Sequence, residues 1–426
     1  MKKYVYPKIL KNLYFETLLN GLKLGVIPFN DTNNFYAVLG VNYGSKDIEF
    51  YSQEKEKWVK SPLGIAHFLE HKAFEMESDE QPFAYFSRMG VDINASTSFE
   101  TTKYYIWGID THINECLDYL ITCVASPYFT DENVAKEQGI IGEEIKMYDD
   151  EQSWIINDVC RKMIFNESPV REKIAGTLDS IKEIDKDKLY ECYNTFYVPN
   201  NMFLIVAGNV KADDVKKLVM NNKAFNKLKP NYDIIRKQYN ENYMVHSEYK
   251  SLKLNLCMPK VKYAFKISLL NFALKDRMRL DLYLNMVCLL GFGGTSLFQE
   301  KIMDERIVTG FYYDHNIFDD YFVLEFDAES DKADIFKSLI DKTFNSIEIN
   351  ENDLERLKRV WIASEIKISD STDLMAESLA DDLIVYNDIY PNRIEIIESL
   401  NMDELNGVLR DLDLTNSSFI IAFPKD

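Results

Sequence analysis

The sequence contains no Cys-x-x-Cys pair, no uninterrupted apolar run of the roughly 18 residues a membrane span needs, and no excess of positive charge. Its six cysteines lie mostly inside apolar segments, so buried free thiols in a reducing compartment are expected, and with them a cytoplasmic location. Lys2 and Lys3 are followed by no long apolar core and no small-residue cleavage site, which argues against a secretory leader. A net charge of −20 argues against nucleic acid as a partner, and no membrane partner is expected. Histidine is scarce, with five in 426 residues. The rest is ordinary for a soluble globular chain: 46% apolar, 28% charged, and long enough for two or three domains.

Two of those five histidines fall in one short stretch, Gly64–Phe74. Ile65, Phe68, Leu69 and Ala73 recur there at helical spacing, so the stretch reads as a helix with an apolar stripe. His67 and His71 are four residues apart and leave that helix on one face, one turn above the other. Glu70 stands between them. Two neutral imidazoles at this spacing can hold a zinc ion at about 2.0–2.1 Å each, with the carboxylate placed to take a proton from a water. The order His-x-x-Glu-His is the inverse of the commoner zinc-peptidase motif.

Catalytic zinc takes three protein ligands, so a third must come from elsewhere in the chain. The candidate stretch is Asn133–Met147, also helical in pattern, where Glu137 and Glu144 lie seven residues and two turns apart and share a face. Glu144 could ligate the metal while Glu137 orients one of the other ligands. An ordinary solvated acidic face is the competing reading of this pair.

Three stretches carry a resemblance. Gly64-Ile-Ala-His-Phe-Leu-Glu-His71 is similar to G-x-A-H-x-x-E-H. Asn94-Ala-Ser-Thr-Ser-Phe-Glu-Thr-Thr-Lys-Tyr-Tyr105 is similar to N-A-x-T-S-x-E-x-T-x-Y-Y. Tyr197-Val-Pro-Asn-Asn-Met202 leads into an apolar run ending at Gly208. In this order, and with Glu137 to Ile145 between the last two, they resemble the pitrilysin family of zinc peptidases, which includes the mitochondrial processing peptidase and its bacterial relatives. The resemblance implies that His67, His71 and Glu144 bind Zn2+, that Glu70 is the general base, and that Glu137 is a partner needed for activity. It also favours Asn94 and Ala95 as contacts to a peptide substrate pairing with their strand.

The fold it implies is α+β: two homologous α/β-roll halves, each a mainly antiparallel sheet with helices on one face, enclosing a chamber. The expected division is a zinc-binding half at 1–225, a linker at 226–245, and a degenerate second half at 246–426. Leu290–Glu300 is expected where the second half would place its metal helix, Tyr321–Phe326 opposite Tyr104–Trp107, and Phe419–Pro424 opposite Phe203–Gly208. The Gly291–Gly294 cluster lacks the G-K-[ST] ending of a phosphate loop and reads as a bend opening a helix.

One departure stands out. Active members carry an Arg and, seven residues on, a Tyr after an L-F-Q-E-like stretch of the second half. Setting Leu297-Phe-Gln-Glu300 on that stretch puts Ile302 and Thr309 in their places. The expectation is therefore a zinc endopeptidase acting on short unfolded peptides within the two-halved chamber, as the zinc-bearing subunit of a dimer with a homologous partner, or as a homodimer. The alternatives are a non-catalytic scaffold or binding member of the family, and a protease dedicated to maturing one peptide precursor.

Overall fold

A computed structural model describes residues 1–6, 8–77, 81–230 and 232–425. The first sheet has seven strands: β1 (Lys2–Tyr6), β2 (Lys11–Thr17), β3 (Lys23–Pro28), β4 (Asn34–Val41), β7 (Val91–Thr97), β8 (Thr102–Ile109) and β9 (Met202–Gly208). A separate hairpin joins β5 (Glu49–Ser52) to β6 (Lys57–Lys60). The second sheet has five strands: β10 (Tyr249–Leu254), β11 (Lys260–Ser268), β12 (Gly310–Phe318), β13 (Tyr321–Glu329) and β14 (Ser417–Pro424).

The spatial orders are β1-β2-β3-β9-β4-β8-β7 and β10-β14-β11-β13-β12. Taken from β3 and from β10, they match strand for strand. Each sheet is antiparallel except for one parallel pair, β3 with β9 and β10 with β14. The repeat is thus carried by topology. The helices do not fall quite where the sequence pattern put them. Between β11 and β12 lie helices Arg277–Phe292 and Leu297–Asp304, as Ile65–Lys72 and Pro82–Arg88 lie between β4 and β7. Leu290–Glu300 therefore spans the end of one helix and the start of the next. By order, the counterpart of the metal helix is Arg277–Phe292, which has no histidine. After the Gly291–Gly294 bend, Ser296 Oγ accepts the Gln299 amide at 3.1 Å and caps the following helix. The stretch Arg277–Asp304 is long and apolar enough to meet a membrane-span criterion by composition, but more than half of its most apolar 18-residue window is buried inside the protein and the bend divides the stretch.

The chain forms two compact units, and they are not contiguous in sequence. Unit 1 comprises Met1–Lys146, Glu172–Gln238 and Glu365–Asn392; unit 2 comprises Met147–Arg171, Tyr239–Ser364 and Arg393–Asp426. The reason is burial. Helix Thr372–Val385 sets Met375, Ala376, Leu379 and Leu383 against Val38, Phe203 and Ile205 of the first sheet. Helix Gln152–Ile164 packs on β11 and β14 of the second. The first sheet is consequently covered on both faces, which is why all seven residues of β9 are buried. Helices on a single face would have left half of that strand wet.

Residues 226–245, expected as a linker, are held at both ends (Asn231 lies outside the described residues). Lys237 N donates to Glu49 O at 2.9 Å and Tyr51 N to Ile235 O at 2.9 Å, so this part joins the β5–β6 hairpin of unit 1. Glu241 belongs to unit 2. Its carboxylate accepts the amides of Asn166, Glu167 and Ser168 at 2.9, 2.8 and 2.7 Å, and meets the fully buried Lys266 Nζ at 2.5 Å. Burial pushes the Glu241 carboxyl up, but Lys266 and the three amides outweigh it and hold the group below the usual carboxylate range. Glu241→Ala would leave the Lys266 charge buried and unpaired, and should cost about 3–5 kcal/mol in chemical denaturation. Because the folded carboxyl is the more acidic, its contribution is present above the unfolded value of about 4.3 and fades as pH falls below it. The gap between wild type and variant should therefore narrow in acid.

Candidate metal site

The helix carrying the two histidines runs Ile65–Lys72 and buries Ile65, Ala66, Phe68 and Leu69. It starts at Gly64, whose φ of 87° lies in the left-handed region open to glycine. A Cβ there would also run into the carbonyl of Ala175. Gly64→Ala should therefore destabilise the protein by at least about 2 kcal/mol, through backbone strain together with displacement of Ala175. Thermal unfolding of the purified variant checks this.

The rings of His67 and His71 have centroids 4.6 Å apart. Helix Asp131–Asp150 lies beside them and delivers Glu137 and Glu144 from one face. Glu137 Oε1 is 2.9 Å from His71 Nδ1, so that ring presents its other nitrogen to Glu144, with Nε2 3.5 Å from Oε2. His67 Nε2 is 3.6 Å from Glu144 Oε1. One donor atom from each of His67, His71 and Glu144 can be chosen so that all lie within 4.8 Å of one another.

These spacings fit a zinc ion. Two ligands bound at about 2.0–2.1 Å and tetrahedral angles stand about 3.3–3.4 Å apart, and the imidazole-to-carboxylate separations are 3.5 and 3.6 Å. The electrostatics also suit a cation. Burial and the neighbouring His71 push His67 down to about 4, so its ring is a neutral donor near pH 7. For His71, burial is outweighed by the Glu137 hydrogen bond and the surrounding carboxylates, and the ring is held above its ordinary value. Burial pulls the Glu137 carboxyl up, but His71 and Lys72 hold it below the usual range.

Glu70 is not among the converging donors. Burial pushes its carboxyl up, and Thr97 Oγ1 donates to its Oε2 at 2.8 Å. Thr97 lies within the Asn94–Tyr105 motif, which by itself assigns it no role. Its contact crosses from a strand to a helix 27 residues away in sequence, and no local pattern signals such a pairing. Thr97 ends β7, the terminal strand of its sheet, whose outer edge is unpaired among the described residues. Asn94 and Ala95 lie on that strand three and two residues earlier. Asn94 is exposed, and its Oδ1 accepts the Ala95 amide at 2.9 Å. In unit 2, Ile302 is fully buried within its helix, and Thr309 is exposed just before β12.

Family comparison matches two successive stretches of the chain. Residues 59–178 match the description Insulinase (Peptidase family M16), and residues 183–360 match Peptidase M16 inactive domain. The uncharacterized zinc protease YmfH of Bacillus subtilis (strain 168) is 36% identical over 335 residues, which are 77% of this chain and 74% of that one. Mitochondrial-processing peptidase subunit beta of Caenorhabditis elegans is 28% identical over 218 residues, 50% of this chain and 44% of that one. Among solved structures, a protein of Alicyclobacillus acidocaldarius described as an M16-like peptidase superposes with a TM-score of 0.88 at 26% identity, covering 97% of this chain and 99% of that one. Pitrilysin superposes with a TM-score of 0.76 at 16% identity, covering 99% of this chain but 46% of its own, and shows likeness of fold.

Proposed function

This chain belongs to peptidase family M16, whose metal is zinc, and from that premise we propose that it is a zinc endopeptidase of short unfolded peptides. His67, His71 and Glu144 hold the ion. The observation that carries the reading is their convergence on one point from two helices, with Glu70 beside them and outside the ligand set. When bound there, zinc supplies Lewis acidity toward a water and a scissile carbonyl. Glu137 fixes the His71 ring through Nδ1 and so keeps Nε2 directed at the shared centre.

Thr97 occupies Oε2 of Glu70, leaving Oε1 to accept a proton from the attacking water and pass it to the leaving amine nitrogen. The raised affinity of this carboxyl for a proton suits that exchange. The unpaired edge of β7 leads to the catalytic base, and its outward backbone groups pair with an extended peptide at Asn94 and Ala95, where the Ala95 amide exchanges Asn94 Oδ1 for a substrate carbonyl. Folded proteins offer few extended, unpaired segments, so unstructured peptides are the substrates. The residues at Ile302 and Thr309 favour a division of labour, in which this chain bears the zinc and a homologous subunit supplies the missing Arg and Tyr. Six free cysteines, five of them buried, support a cytoplasmic setting.

Metal removal tests the proposal. The purified chain should hold about one zinc per molecule by elemental analysis. A chelator should abolish cleavage of an unstructured reporter peptide, assayed with the homologous subunit present, and added zinc should restore it. A zinc-loaded chain that cleaves no unstructured peptide with that subunit present would leave only the scaffold reading.

A further inference from the structure

One face of the first sheet carries an aromatic row that emerges from cover toward the open edge. On β8, Tyr105 and Trp107 stack with centroids 5.9 Å apart, and Tyr105 in turn stacks on Tyr36 of β4 at 6.0 Å. Helix Thr372–Val385 packs on β4 and β9, so Tyr36 is buried and Tyr105 half-buried. Trp107 lies beyond that cover and is 37% exposed. Directly opposite Trp107 in the β7–β8 register is Asp92. Asp92 is exposed and makes no ion pair or side-chain hydrogen bond among the described residues. Glu377, which reaches this face from helix Thr372–Val385, is already engaged by Lys103 Nζ at 2.6 Å and by the Tyr36 hydroxyl.

Cross-strand neighbours project from the same face. A peptide strand added to the free edge of β7 would therefore place one side chain next to Asp92, with Trp107 the next residue in the row. At about 4.8 Å per strand, Trp107 stands about 10 Å from the peptide backbone. A long, flat cation spans that gap: its charge meets Asp92 and its plane lies against the indole.

We propose that Asp92 and Trp107 form a subsite for an arginine side chain of the substrate, remote from the scissile bond. This rests on the reading that β7 receives the peptide. Thr97, which touches the base, is five residues from Asp92, or about 17 Å along a strand. The selected arginine therefore lies about four to six residues from the cleaved bond. Side chains of a strand alternate between faces, so the preference falls at one position and is absent at both neighbours. The chain's net charge of −20 favours a cationic substrate as well.

The test uses the full-length Glu70→Gln protein, so that peptides stay intact, and fluorescence anisotropy with labelled unstructured peptides in which a single arginine is moved through an alanine background. Arginine at one position should tighten binding about tenfold over alanine, and at the flanking positions should not. Citrulline, the uncharged isostere, should lose most of that gain at the same position. Asp92→Asn and Trp107→Leu should each reduce the gain severalfold while leaving affinity for the all-alanine peptide unchanged. No position-specific gain, or a gain untouched by both variants, overturns the proposal while the strand reading stands. A gain for phenylalanine in place of arginine overturns it in favour of an apolar subsite. Failure of every peptide to bind overturns it together with the strand reading.

Discussion

Glu70→Gln should lower peptide hydrolysis by about 10²–10⁴-fold, the usual worth of a positioned proton-transfer group, while the chain keeps its zinc. The two halves of this expectation rest on different atoms. Glutamine has the shape of glutamate, and its side-chain oxygen can still accept the Thr97 hydroxyl now bonded to Oε2, so the local packing survives. What it lacks is an atom that can take up and return a proton. The metal-binding donors are those of His67, His71 and Glu144, none of which is altered. Burial already disfavours the ionised form of Glu70, so replacing it with a neutral isostere removes a buried charge and should not lower the melting temperature. Single-turnover kinetics, elemental zinc and thermal unfolding on one preparation separate the outcomes. Turnover at the wild-type rate would mean that another group is the base. Loss of zinc alongside loss of turnover would mean that Glu70 acts on the metal itself.

How much of this was visible in the sequence depended on how far apart the interacting residues lie. The pair His67 and His71 was legible because four residues are one helical turn, and a turn is a local property. Glu144 was not legible by spacing. Helix Asp131–Asp150 carries Glu132, Glu137, Glu143 and Glu144, and which of them meets the histidines depends on how two helices dock. Only the motif resemblance singled it out. The buried strand β9 announced itself as an unbroken apolar run. Its second cover, helix Thr372–Val385, did not, because an apolar helix face states that something must bury it and not which sheet does so. The exchange of Met147–Arg171 and Glu365–Asn392 between the units was hidden for that reason. The segment at 226–245 reads as a loop from its charge and proline, yet the buried pairing of Glu241 with Lys266 joins residues 25 positions apart, beyond the reach of composition.

Adding a homologous subunit that carries the family's Arg and Tyr should raise kcat/KM of this chain about 10²–10³-fold, the scale on which one preorganised donor to developing charge acts. The argument turns on what stands at the two positions here. Ile302 has no exposed surface and is part of the apolar core of unit 2, with Phe298, Phe336 and Ile340 in the same cluster. Thr309 is exposed, and its amide is bonded to Glu329 O at 2.9 Å, so its side chain is too short and its backbone too fixed to serve as a reaching phenol would. An arginine cannot simply be restored in cis, because Ile302→Arg would bury an unpaired charge in a packed interior and should destabilise unit 2 by several kcal/mol. On the proposed division of labour, the two groups come in trans. Titrating the partner into a fixed amount of zinc-loaded chain should give saturable stimulation, carried mostly by kcat if the added groups act on the transition state. A partner variant lacking its Arg should bind as tightly and stimulate far less. Full turnover by the chain alone, unchanged by any partner, would place the substrate-binding groups within this chain and end the case for divided labour.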